Sequence, residues 1–354
     1  MQNKINFVRI NKLKAVFLGI IMLLFLIFTA ERTVPVSSTT IQTEFSASDS
    51  KYKQLEEISA IPKWEDAQIL KMNNRFAENS NVKRAPVCIQ DVKTIKMLDV
   101  NTGKIRELEL EYYVLCSLIA EMPLNFDSQA LMAQAVACRT LAVRNAMYGD
   151  EKHPNAAVCS DFNCCQSMKD ADTCGFNIAK AKEAVDATRG IVATYGGQPI
   201  VAAYHSSSAG YTKSSAEKWG GSLDYLVPVA APESKDITKT THYISEALTL
   251  TTLRYCGLGE NIQFSHGSNG LCSGASSEYA YLTPRQIKAA LNLRSDAFDV
   301  AFDGTNYIFN CYGFGHGVGM SQYGADALAR EGYDFYEILK YFYTGIEFDF
   351  VNEA

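Results

Sequence analysis

The chain has no long run of charge of one sign. Its net charge of -6 is spread along 354 residues, so it lacks the basic stripe that nucleic-acid binding calls for. It has no G-x-S-x-G elbow to present a nucleophilic serine and no P-loop lysine. Its cysteines include no C-x-x-C pair, and no internal repeat is apparent. Long apolar runs are scarce too: the one that stands out is Ala15 to Ala30. What remains is a chain with 47% hydrophobic and 20% charged residues, enough for one large globular domain or two ordinary ones with a well-buried core.

The N-terminus sets the compartment. Residues 1–14 carry Lys4, Arg9, Lys12 and Lys14, and the apolar run 15–30 follows. Basic residues before such a run keep that end in the cytoplasm and send the rest outward. The run is shorter than the roughly 17–25 residues of a spanning helix. An uncleaved anchor and a signal peptide are both open. The anchor is favoured because Phe28 spoils an A-x-A-like cleavage site. Residues 31–84 are Ser/Thr-rich at first, weakly periodic, and read as a linker.

Order is expected over 85–354. Asn101-Thr102-Gly103 predicts a hairpin turn. Leu110, Val114 and Leu118 then recur at helical spacing, Glu121 falls on the same arc, and Pro123 stops the helix. Asp127 or Ser128 caps a second helix to about Tyr148. It is apolar nearly all round and therefore buried, so its Gln134 and Arg139 need polar partners. A helix from about Ile178 to Arg189 and a hairpin about Gly196-Gly197 come next. The second strand of that hairpin runs into a Ser/Gly loop. A further hairpin spans Asp299 to Tyr312, and two helices follow in "MSQYGADALAREG" and "FYEILKYFYTG". Hairpins and helices without strict alternation predict an α+β fold.

Several constellations bear on chemistry. A carboxyl such as Glu121 on an apolar face has its pKa raised by desolvation, which suits a group that gives and takes protons. The plain alternative is a helix-end glutamate reaching into water. In "AAYHSSSAGYT", His205 and Ser206 point to opposite faces of a strand and should not meet. The segment reads as a polar loop lining a groove or as an ordinary turn. "GFGHGVGMSQYGA" has glycine at alternate positions, fit for close backbone approach or for tight turn packing. His153, Cys159, Cys164 and Cys165 supply one imidazole and three thiols within "HPNAAVCSDFNCCQSM", a sound tetrahedral zinc set. A Cys159–Cys165 disulfide is the alternative. Cys116 and Cys138 read as buried apolar residues, and Cys256 and Cys272 flank a loop across which they could pair.

Taken together, "EYYVLCSLIAEMPLNFDSQALMAQAVACRTLAV", "AAYHSSSAGYT" and "GFGHGVGMSQYGADALAREGYDFYEILKYFYTG" resemble the stage II sporulation protein D family, in the family's order, over roughly Val87 to Phe348. The resemblance implies a membrane-anchored peptidoglycan lytic transglycosylase acting in spore engulfment, on the mother-cell membrane with its catalytic domain outside the cytoplasm. It implies Glu121, in the A-E-M-P motif, as the general acid/base. Arg139, His205, Ser207, Gly210, Tyr211, His316, Gly317 and Gln322 match family motif positions and are implied as glycan-groove residues. It further implies zinc at the cysteine cluster, with Cys164 where histidine is commoner, in a structural role and not required for chemistry. The implied partners are glycan strands, a sporulation amidase and a membrane scaffold protein. Two rivals remain: a non-catalytic, amidase-enhancer-like glycan binder, and a zinc hydrolase. Four protein ligands would leave the metal of the second no open position.

Overall fold

The computed structural model describes residues 88–149, 152–161, 164–278 and 280–351. The expected basic segment 1–14, anchor 15–30 and linker 31–84 lie outside them. Among the described residues no helix is long and apolar enough to cross a membrane.

The chain opens with an antiparallel hairpin, β1 (Thr94–Asp99) and β2 (Lys104–Glu109). Its loop closes through Gly103, whose φ of 68° suits glycine. Helix α1 (Leu110–Glu121) begins as the Glu109 side chain accepts from the Tyr112 N–H. It stops at Met122, which is extended as a residue before proline must be. Helix α2 (Ser128–Tyr148) is capped by Asp127. Alanines, Leu131, Val136 and Val143 bury it on nearly every side, and it packs against α1 and the later helices and strands. Short strand β3 (Val158–Cys159) adds in parallel to β1. Helix α3 (Ala179–Ala187) follows.

Strands β4 (Ile191–Tyr195) and β5 (Gln198–Pro199) form the expected hairpin, with Gly196 and Gly197 at φ 57° and 73°, the signature of a tight two-residue turn. The second strand is shorter than the sequence predicts. Pro199 has no N–H to extend the ladder, and the chain leaves the sheet. It forms a separate strand, β6 (Tyr204–His205), and then the short helix α4 (Ser215–Trp219).

A stretch passed over in the sequence comes next: β7 (Thr240–Ser245), α5 (Glu246–Tyr255), β8 (Gln263–His266), β9 (Cys272–Ser276), β10 (Tyr281–Leu282) and α6 (Pro284–Leu291). The hairpin β11 (Phe298–Phe302) and β12 (Asn306–Cys311) completes it, with β7 paired to the other side of β12. This insertion has its own hydrophobic cluster around Leu253, Ile287, Phe298 and Phe309. The main cluster, centred on α1 and α2, skips it and resumes at Val318.

Strand β13 (Met320–Ser321) then pairs in parallel with β6. Helix α7 (Gln322–Arg330), helix α8 (Phe335–Phe342) and β14 (Glu347–Phe350) end the fold, with β14 antiparallel to β4. The α+β expectation holds. The β6–β13 pairing brings the H-S-S-S loop, the glycine-rich loop and the end of α1 to one place.

Candidate active site around Glu121

Helix α1 delivers Glu121 as its last residue, half-buried. Burial pushes the carboxyl's pKa upward, opposed by the hydrogen bond it accepts from the Ser167 N–H. The carbonyl of Glu121 sits at a helix end, where carbonyls lack intrahelical partners. Gln322, at the start of α7, donates its Nε2 to that carbonyl at 3.1 Å and to Gln134 Oε1 at 3.4 Å. The amide of Gln134 in turn reaches Cys138 Sγ. Gln134 thus has the polar partners its buried position demands. Gln322, expected in the groove, is buried and acts on the backbone that carries Glu121.

Two residues to which the sequence assigned no role, Tyr204 and the Gln166 of the family's Cys-Gln signature, complete this side. Tyr204 on β6 accepts from Gln166 Nε2 at 3.2 Å, and Gln166 Oε1 accepts from the Tyr113 hydroxyl at 3.1 Å. Burial raises the pKa of both phenols well above 10.0, so both stay protonated. Gln166 and Ser167 directly follow the cysteine pair, so one loop carries both cysteine donors and the N–H that meets the Glu121 carboxylate.

Arg139 is not a groove residue. It is 0% exposed. Its Nε and Nη2 meet Glu111 Oε1 and Oε2 at 2.9 and 2.5 Å, and its Nη1 meets Ile191 O at 3.2 Å. The N–H of Gly190 also donates to Glu111. A guanidinium shut off from solvent and engaged this way has no route to a substrate. It ties α2 to α1 and to the start of β4.

The other face of β6 carries His205, which is 4% exposed. Its Nδ1 lies 3.2 Å from Val318 O. A carbonyl only accepts, so Nδ1 bears the proton and Nε2 accepts from Ser208 Oγ at 2.7 Å. His205 therefore meets Ser208 and not Ser206. Burial lowers its pKa to about 3. Ser207 is buried, with Oγ against Thr238 Oγ1 at 2.5 Å. Both were expected to touch glycan, and both instead hold the loop together. Glu233 links this loop to α7, accepting from the Ser208 N–H at 2.7 Å and from Ser321 Oγ at 2.5 Å.

His316 is half-buried, 5.3 Å from the Trp219 ring and 5.8 Å from His205, and burial lowers its pKa to about 4. Gly210 and Gly317 have φ of 101° and 81°. At Gly319 a Cβ would sit 2.0 Å from Ala203 O, so glycine there lets the two chains of the β6–β13 pair approach. Tyr211 is 69% exposed. Of the expected groove residues, Gly210, Tyr211, His316 and Gly317 remain open to solvent.

Among the described residues, His153, Cys159, Cys164 and Cys165 present ligand atoms within 4.8 Å of one another. His153 Nε2 is 3.3 Å from Cys164 Sγ and 3.9 Å from Cys165 Sγ. Ligand atoms around tetrahedral zinc stand about 3.5–3.8 Å apart for ordinary Zn–S and Zn–N bonds, so the donor set fits with small adjustments. Hydrogen bonds from the Cys165 thiol draw Cys159 down to about 6 and Cys164 to about 7, and raise Cys165 itself. All ten cysteines are free thiols. Neither the Cys159–Cys165 nor the Cys256–Cys272 disulfide is formed, and Cys116 and Cys138 are buried as expected.

Comparison with known proteins converges on this region. Residues 99–195 match the family model described as "SpoIID: Stage II sporulation protein". The chain is 30% identical over 287 residues to "Stage II sporulation protein D" of Bacillus amyloliquefaciens, covering 77% of this chain and 81% of that one. It is 30% identical over 291 residues to the protein of the same name in Bacillus subtilis, again covering 77% and 81%. An "Amidase enhancer" of Bacillus subtilis is 26% identical over 291 residues, which is 64% of this chain and 38% of that protein.

Proposed function

The chain belongs to the stage II sporulation protein D family, and from that premise we propose that it is a peptidoglycan lytic transglycosylase with Glu121 as its general acid and base. The observation that carries this reading is the Glu121 carboxyl: half-buried at the end of α1, its pKa raised by burial and its charged form braced by the Ser167 N–H. Such a group is protonated more readily than an exposed glutamate and keeps donors ready for its charged form.

The chemistry needs one such group. Protonated Glu121 donates its proton to the glycosidic oxygen between MurNAc and GlcNAc as the C1–O bond breaks. The N-acetyl group of MurNAc stabilises the oxocarbenium-like centre. The Glu121 carboxylate then takes the proton of the MurNAc C6 hydroxyl, and that oxygen bonds to C1. The products are a 1,6-anhydro-MurNAc end and a free GlcNAc end, and Glu121 is again protonated. No water is consumed, so no second carboxylate is needed to activate one, unlike ordinary glycosidases.

In this reading His153, Cys159, Cys164 and Cys165 hold a structural zinc. It supplies no chemistry and fixes the turn from which Ser167 reaches the acid and Gln166 reaches Tyr204. The protein is anchored by residues 15–30 in the mother-cell membrane, facing the forespore, and works beside an amidase and a membrane scaffold protein. A second reading takes support from the amidase-enhancer relative: the same groove binds glycan and stimulates a partner hydrolase.

Digestion of glycan strands stripped of stem peptides, followed by mass spectrometry, separates the two. The wild-type protein should yield anhydro-MurNAc ends, and Glu121→Ala should not. Absence of that product from the wild type overturns the transglycosylase. Equal product from both proteins overturns Glu121 as its acid.

A further inference from the structure

Glu233 is 6% exposed, and neither the acid chemistry nor the cysteine cluster uses it. It lies just past a stretch pinned beside the H-S-S-S loop, where the Ala231 N–H donates to Gly210 O at 2.9 Å. One carboxylate oxygen serves two donors: Oε1 accepts from the Ser208 N–H at 2.7 Å and from Ser321 Oγ at 2.5 Å. The other, Oε2, faces the first turn of α7, where a Cβ at Gly324 would lie 2.6 Å from it. Burying a carboxylate is costly unless donors or a favourable field offset it. Two donors on one oxygen and the positive end of α7 beside the other supply that offset.

The start of α7 bears directly on the acid. A hydroxyl has one proton to give. In Ser321 it goes to Glu233 rather than to Ser206 O, which is 3.4 Å away, and Oγ is left to accept from the Gly324 N–H at 3.1 Å. That last bond caps the helix. The next residue, Gln322, donates to the Glu121 carbonyl at 3.1 Å. Tyr323 sets its ring 4.9 Å from Phe126, edge to face, and Asp326 accepts from the Asp127 N–H at 2.6 Å. Helix α7 thus meets both ends of the segment 121–127, which begins with the acid.

We propose that Glu233 is a positioning residue for Glu121: it locks the Ser208 N–H and the Ser321 hydroxyl onto one carboxylate oxygen, fixes the first turn of α7, and through Gln322 holds the end of α1 on which the acid stands. The proposal rests on the reading of Glu121 as acid and base. A carboxylate that only capped α7 would change how much of the protein is folded and leave the folded molecules alike. A positioning residue changes the carbonyl that Gln322 holds and the rate of the molecules that remain folded.

The test uses the full-length protein, purified without chelator. Glu121-Met122 is the one Glu-Met step in the sequence. Glutamate labelled with carbon-13 at the main-chain carbonyl and methionine labelled with nitrogen-15 therefore give a single coupled signal, that of the Glu121 carbonyl. In Gln322→Leu this signal should move upfield as the carbonyl loses its donor. In Glu233→Gln, whose neutral amide oxygen holds both donors less firmly, it should move the same way. In either variant kcat per folded molecule should fall about 10-fold with KM within about twofold, since a misplacement of about 1 Å set far from the chemistry costs up to about 10²-fold. The double variant should lose no more than Gln322→Leu alone, because both substitutions act on one contact. An unmoved carbonyl signal or an unchanged kcat in folded Glu233→Gln overturns the proposal, and so do losses that add in full. Where Glu233→Gln does not fold, Glu233→Asp, its carboxylate withdrawn by one methylene, is read by the same criteria. Failure of the transglycosylase reading shows separately, as absent anhydro product from the wild type with the carbonyl shifts intact.

Discussion

Tyr204 and His205 are neighbours on one two-residue strand, and the two faces they serve use buried polar groups in opposite ways. On the Tyr204 face a carboxyl is half-buried, its pKa is raised by burial, and the neutral Ser167 N–H donates to it. On the His205 face both ring nitrogens are engaged by protein, the ring is 4% exposed, and its pKa is depressed to about 3. Both are motif residues and both are desolvated. Desolvation alone therefore does not mark a reacting group. What separates them is access, and whether the perturbed group keeps a form it can exchange with a substrate. A neutral imidazole with both nitrogens bonded is a strut.

The sharpest way to break this contrast is at Glu121. Glu121→Gln should lower glycan cleavage by about 10²–10⁴-fold, the usual worth of general acid–base catalysis, with the thermal midpoint nearly unchanged. Arg139 should behave in the reverse way. Arg139→Leu leaves the Glu111 carboxylate buried without its ion-pair partner, which costs about 3–5 kcal/mol, read from urea unfolding. The double variant Glu111→Leu/Arg139→Leu should recover most of that loss, because no lone charge remains. Loss of glycan binding in Arg139→Leu with full stability would show that the arginine reaches substrate after all.

The cluster of His153 and three cysteines sharpens the comparison, since its loop supplies the Ser167 N–H to Glu121. Zinc removal by a chelator should lower activity by about 10–100-fold, as loss of supporting contacts commonly does. Added zinc should restore it. The Gly324 N–H and Ser321 contacts on the His205 face should keep their hydrogen-exchange protection meanwhile. Retained activity in a folded, metal-free protein would uncouple the cysteine loop from Glu121.

How much of this was legible in the sequence follows the reach of each signal. Helical spacing and the A-E-M-P context put Glu121 at the end of a helix on its apolar side, and the structure puts it there. Arg139 on an all-apolar helix announced a missing partner. Glu111 was hidden because Glu107, Glu109 and Glu111 alternate with leucine like one solvent-facing strand edge. The start of α1 at Leu110 turns the last of them inward. Tyr204 reads as an ordinary strand aromatic until β13 fixes β6 across the fold. The stretch between Lys213 and Phe298 carries short strands broken by glycine and serine, so its period was too brief to read, yet it builds a second hydrophobic cluster.

Acid provides a smaller effect that separates the two faces without mutation. His205 is bound neutral, with a folded pKa near 3 against about 6.5 unfolded. Between those values the unfolded chain binds more protons, so stability falls as pH drops through about 6.5 and keeps falling toward 3. From pH 6.5 to 5 this one group should remove about 1–2 kcal/mol. His205→Gln should flatten that part of the pH–stability curve while being less stable at neutral pH. An unchanged slope would mean the ring is charged or solvated in the folded protein.

The smallest expected effect is at Tyr211, the expected groove residue that stands most open, at 69% exposure. Tyr211→Ala removes little buried area, and a surface change of this kind should alter stability by no more than about 0.5 kcal/mol. A tyrosine ring against a sugar contributes to ground-state and transition-state binding alike, so KM should rise a few-fold with kcat nearly constant. His205→Gln should show the opposite pairing, with lost stability and little change in the KM of the molecules that remain folded. If Tyr211→Ala leaves KM untouched, the glycan runs along a different edge, and the exposed aromatic belongs to no part of the groove.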